Sequence, residues 1–133
     1  MSEKIAAIPL APVSWGEVID KITILEIKLA RLADEAARGN VAKELELLRG
    51  IAAPALVRAE LVALAGRLKT LNESLWDIED RIRDHERAGN FDSAFIALAR
   101  SVYRTNDERG RLKREINQAL GSGLVEEKSY RPY

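Results

Sequence analysis

Several residue types that often carry protein chemistry are scarce in this 133-residue chain. It has no cysteine and one histidine, which excludes disulfides, thiolate catalysis and Cys-ligated metal sites and leaves a poor ligand set for other transition metals. Lys plus Arg and Asp plus Glu both total 21, and no block of one sign stands out, so electrostatic capture of nucleic acid or an anionic membrane has no basis. We therefore expect no metal, no cofactor and no nucleic acid.

Common catalytic and targeting signals are also missing. The sequence contains no Gly-rich phosphate loop, no H-E-x-x-H and no nucleophile elbow. The opening residues have a short apolar run broken by Pro9 and Pro12, unlike a secretory signal or a membrane span. These features predict a soluble protein of the reducing cytoplasm.

What the chain does have is heptad periodicity, combined with 47% hydrophobic, 32% charged and only 5% aromatic residues. Apolar residues alternate spacings of three and four along three segments, which is typical of helices packed in coiled-coil-like seams. The stripes are Trp15, Val18, Ile22, Leu25, Leu29 and Leu32; then Val57, Leu61, Leu64, Leu68, Leu71, Leu75, Ile78, Ile82 and His85; then Phe95, Leu98, Val102, Thr105, Arg109, Leu112, Ile116 and Ala119. The pattern predicts a single all-α domain over residues 1–133, an antiparallel bundle of three main helices at about 14–38, 55–88 and 91–120.

Local signals supply the helix ends. Ser14 and Glu17 form an S-x-x-E capping box at the first helix. Gly39-Asn40 is expected to stop that helix, with a short helix at about 41–48 after it, and Pro54 suits the first turn of the next helix. Ala88-Gly89-Asn90 should end the second main helix, and Asn90 or Asp92 can cap the third. We expect the N-terminal arm (1–13) and the C-terminal tail (121–133) to be ordered against the bundle or a partner.

Eight polar or aromatic residues fall at one level of the bundle in this register. They are Lys21, Asn72, Trp76, Glu79, Tyr103, Asn106, Asp107 and Arg109. One interpretation is a structural lock in which a carboxylate, Glu79 or Asp107, answers the Arg109 charge. The other is a pocket for a small anionic ligand, with Lys21 and Arg109 as cations and Asn72 and Asn106 as donors.

Two further features concern helix surfaces. His85, alone and near a helix end, favours capping or core packing over metal binding. Ile24 and Ile27 lie on the side of the first helix away from its main seam, so that helix should be covered on two sides. We expect a homodimer through Ile24 and Ile27, with the terminal arms as the alternative cover, and an unidentified protein partner is also open.

Four strings of the sequence resemble a family of small uncharacterised bacterial proteins, a domain of unknown function. The strings are SWGEVIDKITILEIK (14–28), LNESLWDIEDRIR (71–83), FIALARSVYRTNDERGRLKREIN (95–117) and EEKSY (126–130). The resemblance implies that Trp15, Asp20, Lys21, Trp76, Glu79, Asp80, Tyr103, Asn106, Asp107 and Lys128 belong to the family's shared strings. It implies no activity.

The sequence leaves two functions open. The first is a non-enzymatic helical interaction or oligomerisation module. The alternative is a small-molecule binder or enzyme similar at fold level to the all-helical chorismate mutases, in which Lys21 and Arg109 would clamp carboxylates.

Overall fold

The computed structural model describes residues 4–133, which form four α-helices and no strand. The helices are α1 (Trp15–Arg31), α2 (Glu35–Ala52), α3 (Ala59–Ala88) and α4 (Ser93–Leu120). The all-α prediction is confirmed, but residues 4–133 contain four helices instead of three main ones. Residues 1–3, which were predicted to be part of the N-terminal arm, lie outside the described residues.

The first predicted helix is divided into two. α1 starts where the capping box predicts, since the Ser14 hydroxyl accepts from the Glu17 N–H, but it ends at Arg31 because Leu32 is extended. Asp34 then caps a new helix, its carboxylate accepting from the Ala37 N–H at 2.9 Å. The predicted helix at 14–38 is therefore wrong, and residues 41–48, predicted as a separate short helix, are helical as part of the longer α2. Gly39 does not end a helix because a mid-helix glycine costs only about 1 kcal/mol, which the Asp34 cap offsets.

The other helices are close to the predicted bounds. Pro54 lies in a turn before α3 instead of in its first turn, and Val57 is 81% exposed instead of opening the seam. α3 then continues through Gly66 without a break. Gly89 ends it with φ 65°, a left-handed conformation that costs glycine little, and Asp92 caps α4 through the Phe95 N–H.

α1 is the central helix of the bundle. It packs against each of the other three, whereas α3 packs antiparallel to α4 and the backbone of α2 lies against α1 alone. The most deeply buried large side chains are Ile19, Leu25, Leu45, Leu61, Leu68 and Ile116. Every helix therefore contributes to one core.

The direction of α1 differs from the prediction. Asp20 faces Asn72 and Arg31 faces Asp77, so α1 runs parallel to α3 and not antiparallel to it. The reason is α2, since an additional helix between them reverses the chain once more. At ~1.5 Å per residue, the 30-residue α3 is about 45 Å long and the 17-residue α1 about 25 Å, so the α3–α4 hairpin projects beyond the end of α1.

The two arms behave differently. In the N-terminal arm, residues 4–13 form no helix, and Ile5 and Leu10 are each 96% exposed. This part of the arm does not pack on the bundle, which was one of its two predicted positions, and packing on a partner stays a prediction. The C-terminal tail runs back along α4, where Glu126 accepts from Lys113 Nζ at 2.8 Å and the Tyr133 hydroxyl donates to Asp107 at 2.7 Å. Within residues 4–133, the C-terminal tail is therefore the arm that is fixed to the bundle.

Candidate functional site

A buried polar network joins α1 to the α3–α4 hairpin. Its centre is Asp20, whose side chain is only 4% exposed. Arg109 of α4 donates to both carboxylate oxygens of Asp20, through Nε at 2.9 Å and through Nη2. Asn72 Nδ2 of α3 lies 2.9 Å from Asp20 Oδ1 and 2.9 Å from Thr23 Oγ1, and the Thr23 hydroxyl donates to the Asp20 carbonyl oxygen at 2.8 Å.

The electrostatics of this network are internally balanced. The hydrogen bonds that Arg109 donates to Asp20 raise the pKa of Arg109 above its usual value, against the opposing effect of burial. Within residues 4–133, every buried side-chain nitrogen or oxygen has a hydrogen-bond partner. The network therefore leaves no buried side-chain polar atom without a hydrogen bond, and the bidentate Arg109–Asp20 pair holds α1 at one register on the hairpin.

A second set of contacts fixes the start of α1 against α4 and the tail. Lys113, buried on α4, donates to Glu17 of α1 and to Glu126 of the tail. The Gly16 N–H donates to Asn117 Oδ1 at 2.7 Å, and a Cβ on Gly16 would lie 2.7 Å from the Lys113 carbonyl oxygen. Only glycine fits at this crossing, because the two backbones approach too closely for a side chain.

Beside the central network is an open groove of about 450 Å³ between α1, α3 and α4. Its floor carries Arg109 and Asn72, and its apolar wall carries Leu75 and Trp76. The remaining lining residues are Ile24, Ile27, Glu79, Asp80, Arg83 and Asn106. The groove thus combines the half-buried Arg109, the exposed Arg83, two carboxylates and two amides with an apolar wall, and small-molecule sites likewise join a few polar groups to an apolar lining.

Five of the eight predicted site residues meet at this groove, namely Asn72, Trp76, Glu79, Asn106 and Arg109. The other three do not. Lys21 faces α2, where its Nζ lies 3.4 Å from Glu44, because α1 runs parallel to α3. Tyr103 stacks edge-on against Tyr133, and Asp107 accepts from the Tyr133 hydroxyl.

The predicted acidic partners of Arg109 were also wrong. Glu79 pairs with Arg83 one turn along α3, and Asp107 is taken by the tail, while Asp20 holds Arg109. From the sequence, Asp20 was predicted only to belong to the family's shared strings and not to bind Arg109. The signal that could have found it is the stripe Gly16, Asp20, Thr23 and Ile27, which places small, polar and apolar residues on one face of α1.

Ile24 and Ile27, which were predicted to form a homodimer interface, line the groove within one chain. Ile27 is 3% exposed and lines the groove with α3 and α4, so the hairpin covers it within one chain. Ile24 lies half-buried at the same place. The homodimer stays a prediction, but it needs another surface.

His85 acts as expected at the end of α3. Its Nδ1 lies 2.9 Å from the Asn90 carbonyl oxygen, and its ring packs near Phe95. Among residues 4–133, no group of three His, Cys, Asp or Glu side chains has the spacing of a metal site. No helix formed by these residues has both the length and the hydropathy needed to cross a bilayer.

Comparison with known proteins adds one finding. A family model described as a family of unknown function (DUF6165) matches residues 11–132. The chain belongs to this family. The DUF6165 match includes all four helices and nearly all of the C-terminal tail, and so confirms the predicted resemblance to a domain of unknown function. No curated protein and no solved structure matches the chain.

Proposed function

We propose that this protein is a non-enzymatic helical interaction module in which the buried polar network is architectural. The observation that carries the proposal is the bidentate Arg109–Asp20 pair, which uses the charge of Arg109 inside the fold. A catalytic clamp would need two cations directed at a substrate, whereas Lys21 lies on the α2 side of α1 and one edge of the Arg109 guanidinium is already bound by the buried Asp20 carboxylate. The network therefore holds three helices in register.

The interacting surface follows from how α2 is placed. Since the backbone of α2 lies against α1 alone, its outer face is left in solvent, and Leu47 and Ile51 on that face are each about half exposed. These residues are one helical turn apart and form an apolar stripe. We propose that a second copy of the chain covers this stripe, which gives the predicted homodimer an interface on α2 instead of α1.

Light scattering coupled to size exclusion tests the interface. The wild-type chain at micromolar concentration should have twice the 14.8 kDa mass of one chain. Ile51→Glu should shift it towards monomer, because a buried carboxylate at an interface costs several kcal/mol. Ala42→Glu adds the same charge to an exposed position on another face of α2 and should leave the dimer intact. A wild-type monomer at all concentrations would refute the proposal.

Three attributes complete the proposal: a bacterial source, a cytoplasmic location and coiled-coil packing of α3 on α4. The family resemblance supports the first. The absence of cysteine supports the second, and the heptad pattern of both helices supports the third. Fractionation of a native host should recover the protein with cytoplasmic markers.

The groove supports a second candidate function, the binding of a small anionic molecule. The two-cation clamp expected for a mutase-like enzyme is not formed, because Lys21 lies on the α2 side of α1. Arg109 alone remains as a half-buried cation in the groove, which favours a binding site over a reaction of that type. Saturable binding of a small acid, lost on altering the groove, tests this candidate.

A further inference from the structure

We infer that the groove recognises a small monocarboxylic acid with an apolar body, with Arg109 and Asn106 holding the carboxylate and Trp76 contacting the body. This inference deepens the second candidate function and is independent of self-association. It depends on four properties of the groove: its donors, their orientation, its wall and its charge.

The donors are available because Asp20 uses only part of the Arg109 guanidinium. An arginine has five N–H groups, and Asp20 accepts from Nε and from one N–H of Nη2. Nη1 makes only a long contact, 3.5 Å, with Asn106 Oδ1. Arg109 is 27% exposed on its side chain and lines the groove, so its unused N–H groups are accessible to a ligand.

The donors are also held in place before any ligand arrives. The bidentate bond to Asp20 fixes the plane of the Arg109 guanidinium, and Asp20 is fixed in turn by Asn72. The side-chain oxygen of Asn106, Oδ1, faces Arg109, so the N–H groups on Asn106 Nδ2 lie beside the guanidinium. Within residues 4–133, Nδ2 makes no hydrogen bond. Preorganised donors of this kind lower the entropic cost of binding a carboxylate.

The wall suits an aromatic or branched apolar body. Leu75, Trp76, Ile24 and Ile27 face the groove, and Arg31 packs over the Trp76 ring at 5.6 Å from its centroid, which holds the indole in position. The volume of about 450 Å³ lies within the roughly 300–1,000 Å³ of small-ligand pockets.

The charges limit the ligand to one negative group. Glu79 and Asp80 line the same groove as Arg109, and Arg83 is already paired with Glu79. Phosphates and dicarboxylates would place a second negative charge near Asp80, whose carboxylate makes no ion pair within residues 4–133 and would repel that charge. The groove is therefore selective for a monoanion over a polyanion.

The probe is 3-phenylpropanoate, followed by NMR shifts of the Trp76 indole N–H and the Asn106 side-chain amide. We expect saturable shifts below about 10 mM, and binding of 3-phenylpropanol, which has the same ring without the charge, about tenfold weaker or worse. Succinate and inorganic phosphate should also bind more weakly. Absence of saturation with 3-phenylpropanoate, or equal binding of the alcohol, would overturn the inference.

Variants locate the site. Asn106→Asp places a carboxylate against Arg109 Nη1 and should weaken binding of 3-phenylpropanoate about tenfold or more, and Trp76→Ala should weaken it several-fold. Arg111→Gln removes a cation from the opposite side of α4 and should change the affinity by less than about twofold. Unchanged affinity in both groove variants would also overturn the inference. Light scattering of the same samples reports self-association separately, so failure of one proposal is distinguishable from failure of the other.

Discussion

Removal of the Asp20 carboxylate should be among the most destabilising single changes in this fold. In Asp20→Ala, Arg109 loses two hydrogen bonds and Asn72 loses one, and both are left facing an apolar interior on one side. Breaking a fully buried ion pair costs about 3–5 kcal/mol. Because the Arg109 side chain is 27% exposed, water can solvate part of its charge. We therefore expect Asp20→Ala to lower the free energy of unfolding by about 2–4 kcal/mol.

Urea denaturation followed by circular dichroism at 222 nm measures this loss as a change in the free energy of unfolding. The matched control is Lys21→Ala at the next residue, whose ion pair with Glu44 is about half exposed and should contribute less than about 1 kcal/mol. A loss below about 1 kcal/mol in Asp20→Ala, or one equal to that of Lys21→Ala, would refute the reasoning that the network holds α1 in place.

Three other perturbations test separate parts of the structure. The hydrogen bond from Lys113 lowers the pKa of Glu126 below its ordinary value of about 4.5. The contact between tail and bundle therefore stabilises the fold fully above about pH 4.5 and is lost as pH falls through the lowered pKa. Limited proteolysis of the tail should accelerate below about pH 4.5. Gly16→Ala should destabilise by about 1–3 kcal/mol in urea, since its Cβ meets backbone, whereas Gly39→Ala in open space should stabilise α2 by about 0.5–1 kcal/mol. Leu68→Ala should cost about 2–5 kcal/mol, and less than 1 kcal/mol would show that the α3 seam is misassigned.

Helix type, the C-terminal end of α3 and both ends of α4 could be predicted from sequence because their signals are local. Gly89 ends α3 in a left-handed conformation. The heptad repeats before and after it are not interrupted by another helix-stop signal. The break between α1 and α2 was missed because the apolar stripe of α2, which includes Val41, Leu45 and Leu48, begins only seven residues after Asp34. Its cap was visible only as one carboxylate before Glu35 and Ala36.

That one error explains why Lys21 was misplaced, whereas Tyr103 and Asp107 lie outside the groove because the C-terminal tail contacts them. With α2 absent, α1 was expected antiparallel to α3, which put Lys21 beside Arg109. With α2 present, α1 is reversed, and Asp20 occupies that place while Lys21 faces Glu44. Asn72, Trp76, Asn106 and Arg109 were found because their spacing on α3 and α4 depends only on the hairpin, which the short connection at Gly89 fixes.

The most direct test of an architectural network is a variant that removes both charges together, Asp20→Leu with Arg109→Met. If the pair only sets register, apolar replacements of similar size should restore the free energy of unfolding to within about 1 kcal/mol of the wild type, or raise it, and leave the mass by light scattering unchanged. A double variant as unstable as Asp20→Ala, or a stable one that no longer self-associates, would contradict the account.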